Sequence, residues 1–196
     1  MFLREQIDDG NPVVKEHSLL KGCLHWWLPL PHNSGGQQIY DVVGGNHATC
    51  GTNTIWGESQ IPGAKGVVHK SGTSGATFSA VALTEYTLVL YGATSRQTSG
   101  HYGLGGPTGK PTFGWNTESQ LILIPVDGAS AQVVSLSKKT GQWGQCAATW
   151  VSGNKPIGYS DNKAPVTYGE ARTGTATWSY LGWFYNGSYW GGTLSS

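Results

Sequence analysis

A chain of 196 residues carrying 12 Lys plus Arg against 11 Asp plus Glu has a net charge of +1, and its basic residues cluster no further than Lys138-Lys139, which excludes a phosphate-tracking nucleic-acid surface. No apolar stretch approaches the roughly 20 residues of a membrane helix, which excludes insertion by one, and the first nine residues lack the hydrophobic run of a secretory signal. The 30 Gly, 9 Trp and 9 Tyr beside a single Met and 12% charged residues exclude a helical bundle and suit short strands joined by tight turns.

Residues 1–16 are polar and unpatterned and read as an arm, with Phe2, Leu3, Ile7, Val13 and Val14 offering apolar groups to another subunit. Residues 17–196 read as one all-β domain. In chain order the strand-like segments are 23–30, 38–43, 66–70, 76–82, 85–91, 112–116, 120–126, 131–137, 143–151, 156–160, 164–168 and 176–185, separated by turn clusters such as Gly44-Gly45-Asn46 and Ser152-Gly153-Asn154. About a dozen short strands at turn-marked spacing predict a two-sheet sandwich. Within it, Leu121-Ile122-Leu123-Ile124 is apolar on both alternating faces, and Pro125, lacking a backbone donor, belongs at a strand end or edge. Asp161-Asn162 tolerates positive φ, so 156–160 and 164–168 should pair as a hairpin. Cys146, Ala148 and Trp150 share a strand face and should be buried together.

Chemistry is sparse by comparison. The three cysteines, Cys23, Cys50 and Cys146, form no zinc spacing and no disulfide framework, although a Cys23–Cys50 bridge stays open. The six histidines show no ligand spacing, so no metal and no cofactor is expected. A retaining glycosidase needs two carboxylates about 5 Å apart, typically alternating on one strand; Glu85, Glu118, Asp127 and Glu170 are isolated in sequence.

Two stretches carry a family resemblance. The first runs His17-Ser18-Leu19-Leu20-Lys21-Gly22-Cys23-Leu24-His25-Trp26-Trp27-Leu28-Pro29-Leu30 and continues at Tyr40-Asp41-Val42-Val43-Gly44-Gly45-Asn46-His47-Ala48-Thr49. The second runs Trp143-Gly144-Gln145-Cys146-Ala147-Ala148-Thr149-Trp150, then Ile157-Gly158-Tyr159-Ser160-Asp161-Asn162, with Phe184-Tyr185-Asn186-Gly187-Ser188 near the end. Their order resembles laminin-G-like domains of the concanavalin A-like lectin/glucanase superfamily. The resemblance implies a jelly roll of two antiparallel sheets. It implies structural roles for Asp41 and His47, with Asp41 accepting backbone N–H groups of the Gly44-Gly45-Asn46 turn, and core positions for Trp143 and Trp150. There are two departures. Val68–Gly75 lacks the family's Asp pair, which argues against a calcium site, and the closing strand after Gly187 looks reduced, leaving an edge for another chain to cover.

Trp and Tyr stack on sugar rings. Tyr102, Trp115, Trp178 and Trp190, in Gly-rich contexts, are therefore the candidate ligand-binding residues. The function expected from the sequence is a non-catalytic interaction module, not an enzyme. The resemblance extends to phage structural proteins, which implies a virion-surface protein decorating a capsid or tail, self-associating or bound to a shell, with glycans as a further ligand. A free lectin is the first alternative and a glycan hydrolase or lyase the second.

Overall fold

The structure, a computed structural model, describes residues 22–28, 38–51, 54–58, 65–69, 76–94, 103–106, 111–117, 120–129, 132–135, 144–160, 163–167, 169–181 and 192–194. The arm 1–16 and the segment 71–75 lie outside the described residues.

Among the described residues every regular element is a strand. They are β1 (Trp27–Leu28), β2 (Gln38–Asp41), β3 (Ala48–Cys50), β4 (Thr54–Glu58), β5 (Lys65–His69), β6 (Ala76–Leu83), β7 (Glu85–Thr94), β8 (Leu104–Gly105), β9 (Thr112–Thr117), β10 (Gln120–Ile124), β11 (Gln132–Ser135), β12 (Gly144–Val151), β13 (Ile157–Ser160), β14 (Val166–Thr167), β15 (Ala176–Leu181) and β16 (Gly192–Leu194). They form a larger sheet of nine strands, ordered β1-β2-β3-β6-β15-β8-β9-β10-β11, and a smaller one of seven, ordered β14-β13-β12-β7-β16-β5-β4. Neighbouring strands in both sheets pair antiparallel.

One core lies between the sheets. Ile39, Ala48, Ala76, Phe78, Phe113, Leu123 and Trp178 enter it from the larger sheet, and Tyr86, Cys146, Ala148 and Trp150 from the smaller. Cys146, Ala148 and Trp150 are 1%, 0% and 2% exposed, as their alternation on β12 requires. Trp150 lies opposite Tyr86 on β7, with ring centroids 5.4 Å apart. Tyr86 also meets Trp178 edge-to-face at 5.4 Å, so three large rings join the two sheets. The Tyr86 hydroxyl donates to Pro125 O at 2.9 Å, just past the end of β10.

Two expectations change in detail. β13 and β14 pair antiparallel, with Lys163 N donating to Ser160 O at 2.9 Å, but the register matches Ile157 to Thr167 and leaves room for more than a two-residue loop. β16 is not a reduced edge: it pairs with β7 on one side and β5 on the other. Its backbone groups already have partners, so no second chain is needed to complete the sheet at that point.

Candidate functional site

Local chemistry concentrates at the corner between β2 and β3. Asp41 closes β2 with its side chain turned inward, and the residue is 2% exposed. A carboxylate there loses its hydration and must be given donors. Oδ1 accepts the N–H groups of Trp26 at 2.9 Å, Val43 at 3.2 Å and Gly44 at 2.9 Å. Oδ2 accepts Asn46 N at 3.0 Å and pairs with His25 Nδ1 at 2.6 Å. Burial opposes ionisation of Asp41, but the His25 ring and the N–H groups of Gly44, Trp26 and Asn46 outweigh it and hold the carboxyl below its ordinary value. With five donors engaged, Asp41 organises backbone and has little lone-pair capacity left for a substrate.

The Gly44-Gly45 pair meets two separate demands. A Cβ on Gly44 would collide with His25 Nδ1 and Leu24 O and lie 2.6 Å from Asp41 Oδ2, so the first glycine makes room. Gly45 has φ +71 with open space around it, so the second supplies the left-handed turn. Asp41 N donates to His47 Nδ1 at 3.1 Å, which puts the proton of the neutral His47 ring on Nε2.

The corner also reaches outward. Trp27 Nε1 donates to Asn46 O at 2.8 Å, and the Trp27 ring stacks on His25 at 5.0 Å and packs against Phe78 at 4.5 Å. The Asn46 amide pairs with the backbone of Ser79, Nδ2 donating to Ser79 O at 2.7 Å and Oδ1 accepting Ser79 N at 3.0 Å. Ser79 lies where β6 bulges: Val81 pairs with Trp178 and Thr77 with Tyr180, so three residues of β6 oppose one of β15. The bulge lets Phe78 and Val81, an odd number of residues apart, both pack on the core. The Asn46 side chain thus occupies backbone groups that the irregular ladder leaves over.

Beside the corner the larger sheet shows a solvent-facing surface. Gln38 pairs with Thr49, Thr49 with Thr77, and Thr77 with Tyr180, which sets four side chains in one row across β2, β3, β6 and β15. Gln38, Thr49 and Thr77 are exposed and Tyr180 is partly so, while their strand neighbours Ile39, Ala48, Ala76 and Leu181 are buried. Tyr40, its ring 5.1 Å from His47 and edge-on to it, and Ser79 extend this face.

The candidate residues expected from the sequence separate here. Trp178 is 2% exposed and belongs to the core; its enclosed ring presents no face to a sugar, which corrects its placement among ligand contacts. The sequence places Trp178 on the strand-like segment 176–185 but does not give the face it presents; the structure turns it inward on an interior strand. Tyr102, Trp143, Trp190 and the side chain of Trp115 lie outside the described residues. Cys23, Cys50 and Cys146 are free thiols, with Cys50 pushed up to about 11 by burial. Gln38, Tyr40, Thr49, Thr77 and Tyr180 escaped notice in the sequence. Polar residues alternating with buried ones mark any solvent-facing strand, and only the cross-strand register collects these into a row.

The fold defines a class, an all-β sandwich of two antiparallel sheets. No protein-family model matches the chain, and no curated protein matches it. Part of each of two solved structures of Trypanosoma rangeli sialidase is similar in fold to it. One, in complex with 2-keto-3-deoxy-D-glycero-D-galacto-2,3-difluoro-nononic acid, matches over 97% of this chain and 34% of its own, with TM-score 0.56 and 14% identity. The other, a covalent intermediate with 2,3-difluorosialic acid, matches over 95% of this chain and 32% of its own, with TM-score 0.54 and 14% identity. The chain therefore spans about a third of the length of the sialidases it matches. The comparison corrects the expectation that the chain is not an enzyme. The two matched chains are sialidases, so the non-enzymatic reading is not kept. At 14% identity the likeness carries the fold alone and assigns no activity.

Proposed function

We propose that this chain is a carbohydrate-recognition domain with a laminin-G-like, concanavalin A-like jelly-roll topology. The observation that carries the reading is the fold likeness, which takes in 97% of this chain and falls within sialidases solved with sialic-acid analogues. The two-sheet antiparallel architecture and the laminin-G-like order of the motifs around Asp41 and Trp150 support the topology. A glycan array probed with the full chain tests carbohydrate recognition. Saturable binding to a defined set of glycans, competed by the free sugar, is the expected result. Absence of binding to any glycan on an array spanning neutral and sialylated structures would remove the reading.

A further inference from the structure

The two outer faces of the sandwich differ in chemistry. On the smaller sheet, Val89 pairs with Ala147 and Ala147 with Tyr159, while Thr149 pairs with Thr87 and Ile157. That face mixes apolar groups with polar and charged ones: Val89 is 61% exposed beside Thr87, and Glu85 and Gln145 are exposed on the same strands. The face of the larger sheet formed by Gln38, Tyr40, Thr49, Thr77, Ser79 and Tyr180 carries hydroxyls, an amide and two phenol rings, and none of these six residues is a Lys, Arg, Asp or Glu.

We propose that this six-residue uncharged patch on the larger sheet is a carbohydrate-contact surface and that its ligand is a neutral oligosaccharide. The inference rests on the carbohydrate-recognition reading and deepens it by naming the place and the sugar class. Sugar hydroxyls both donate and accept, so they need partners that do both, as Thr and Ser hydroxyls and a Gln amide can. The apolar C–H face of a pyranose needs an aromatic ring, and Tyr40 and Tyr180 lie toward opposite sides of the patch. Adjacent strands lie ~4.8 Å apart, so the row from Gln38 to Tyr180 is about 14 Å long, the reach of a short oligosaccharide. Thr49 and Thr77 are β-branched on paired strands and lose little freedom on binding.

The same composition disfavours acidic sugars. A carboxylated sugar would shed water here without a Lys or Arg among these residues to replace it. Among the described residues, His47 meets Tyr40, Asp41 with its partner His25 lies behind it, and the exposed Asp127 carboxylate accepts from Thr177 further along β15. The Asp41 carboxylate, buried and engaged by its donors, offers a sugar carboxylate no partner.

The test is isothermal titration calorimetry of the full chain. Chitotetraose, cellotetraose and lacto-N-tetraose serve as neutral probes and sialyllactose as the acidic one. At least one neutral probe should bind roughly tenfold or more tighter than sialyllactose. Tyr180→Ala should weaken that binding about tenfold, and Thr77→Val and Thr49→Val, with melting temperatures unchanged, should each weaken it severalfold. Sialyllactose binding as tightly as the best neutral probe would overturn the assignment of sugar class. Neutral binding unchanged in both valine variants would overturn the assignment of place while leaving carbohydrate recognition standing. Failure of all four probes, together with a blank glycan array, would remove both.

Discussion

The Asp41 corner and the Tyr86–Trp150–Trp178 cluster both hold together strands that are distant in sequence, and they do so by opposite means. The corner uses one buried carboxylate as a hub for five donors, and nearly every polar atom near it is paired. The cluster uses area: three rings fill the space between the sheets, and the indole nitrogens of Trp150 and Trp178 have no hydrogen-bond partner among the described residues. The Trp178 ring stands at 88° to Tyr86, edge-to-face, a favourable arrangement for two aromatic rings. A polar hub is specific in direction and sensitive to protonation; an aromatic cluster is tolerant of protonation and sensitive to volume.

Mutations can separate the two. Trp150→Ala should cost the most, about 3–5 kcal/mol, because it opens a cavity between sheets that cannot collapse. Urea denaturation monitored by fluorescence measures it, and a loss under about 1 kcal/mol would mean the ring carries little of the core. Asp41→Asn should follow at about 2–3 kcal/mol, since an amide exchanges an acceptor for a donor amid N–H groups that already point inward. Its signature should be local, with hydrogen exchange rising first at Trp26, Val43, Gly44 and Asn46. Gly44→Ala should cost about 1–3 kcal/mol through overpacking against His25 and Leu24, whereas Gly45→Ala should act through backbone strain alone.

A titration gives the next smaller effect. Because the folded state holds Asp41 below its ordinary carboxylate range, its contribution is fully present above the unfolded value and is lost as pH falls through the folded one. The wild type should therefore lose stability in acid, below the usual Asp range, more steeply than Asp41→Asn, while Trp150→Ala should keep the wild-type acid slope. Equal slopes in all three would show that the corner is not the acid-sensitive element. Least perturbing of all, Cys50 should resist iodoacetamide at neutral pH in the folded chain, because burial raises its thiol to about 11, and mass spectrometry of the alkylated protein reads this directly.

These contrasts bear on what the sequence makes legible. The period-two alternation of Cys146, Ala148 and Trp150 announces a buried strand face, and the structure has it. The carboxylate of Asp41 beside two glycines announces a turn that needs an acceptor, and the hydrogen bonds are there. Four short strands, β3, β4, β8 and β16, were not legible, because two to five residues give too few alternations to stand out from loop. Trp178 was misplaced because its strand was legible but its face was not: Trp178 and Ser179 are both buried, and that break in alternation comes from the bulge against β6. The outward row from Gln38 to Tyr180 draws on strands spread over more than a hundred residues of chain, and only pairing brings it together.

The position of β16 has a kinetic consequence. The β4–β5 hairpin meets the rest of the smaller sheet only through β16, which lies between β5 and β7. Until residues 192–194 arrive, that sheet exists as two separate fragments, each with an open hydrogen-bonding edge. Closing it requires loops of about a hundred residues between β7 and β16 and more between β5 and β16, so the entropy of closure is spent before the contacts return it. Assembly of the smaller sheet is therefore a late event, and a partly synthesised chain presents two exposed strand edges that the finished molecule does not have.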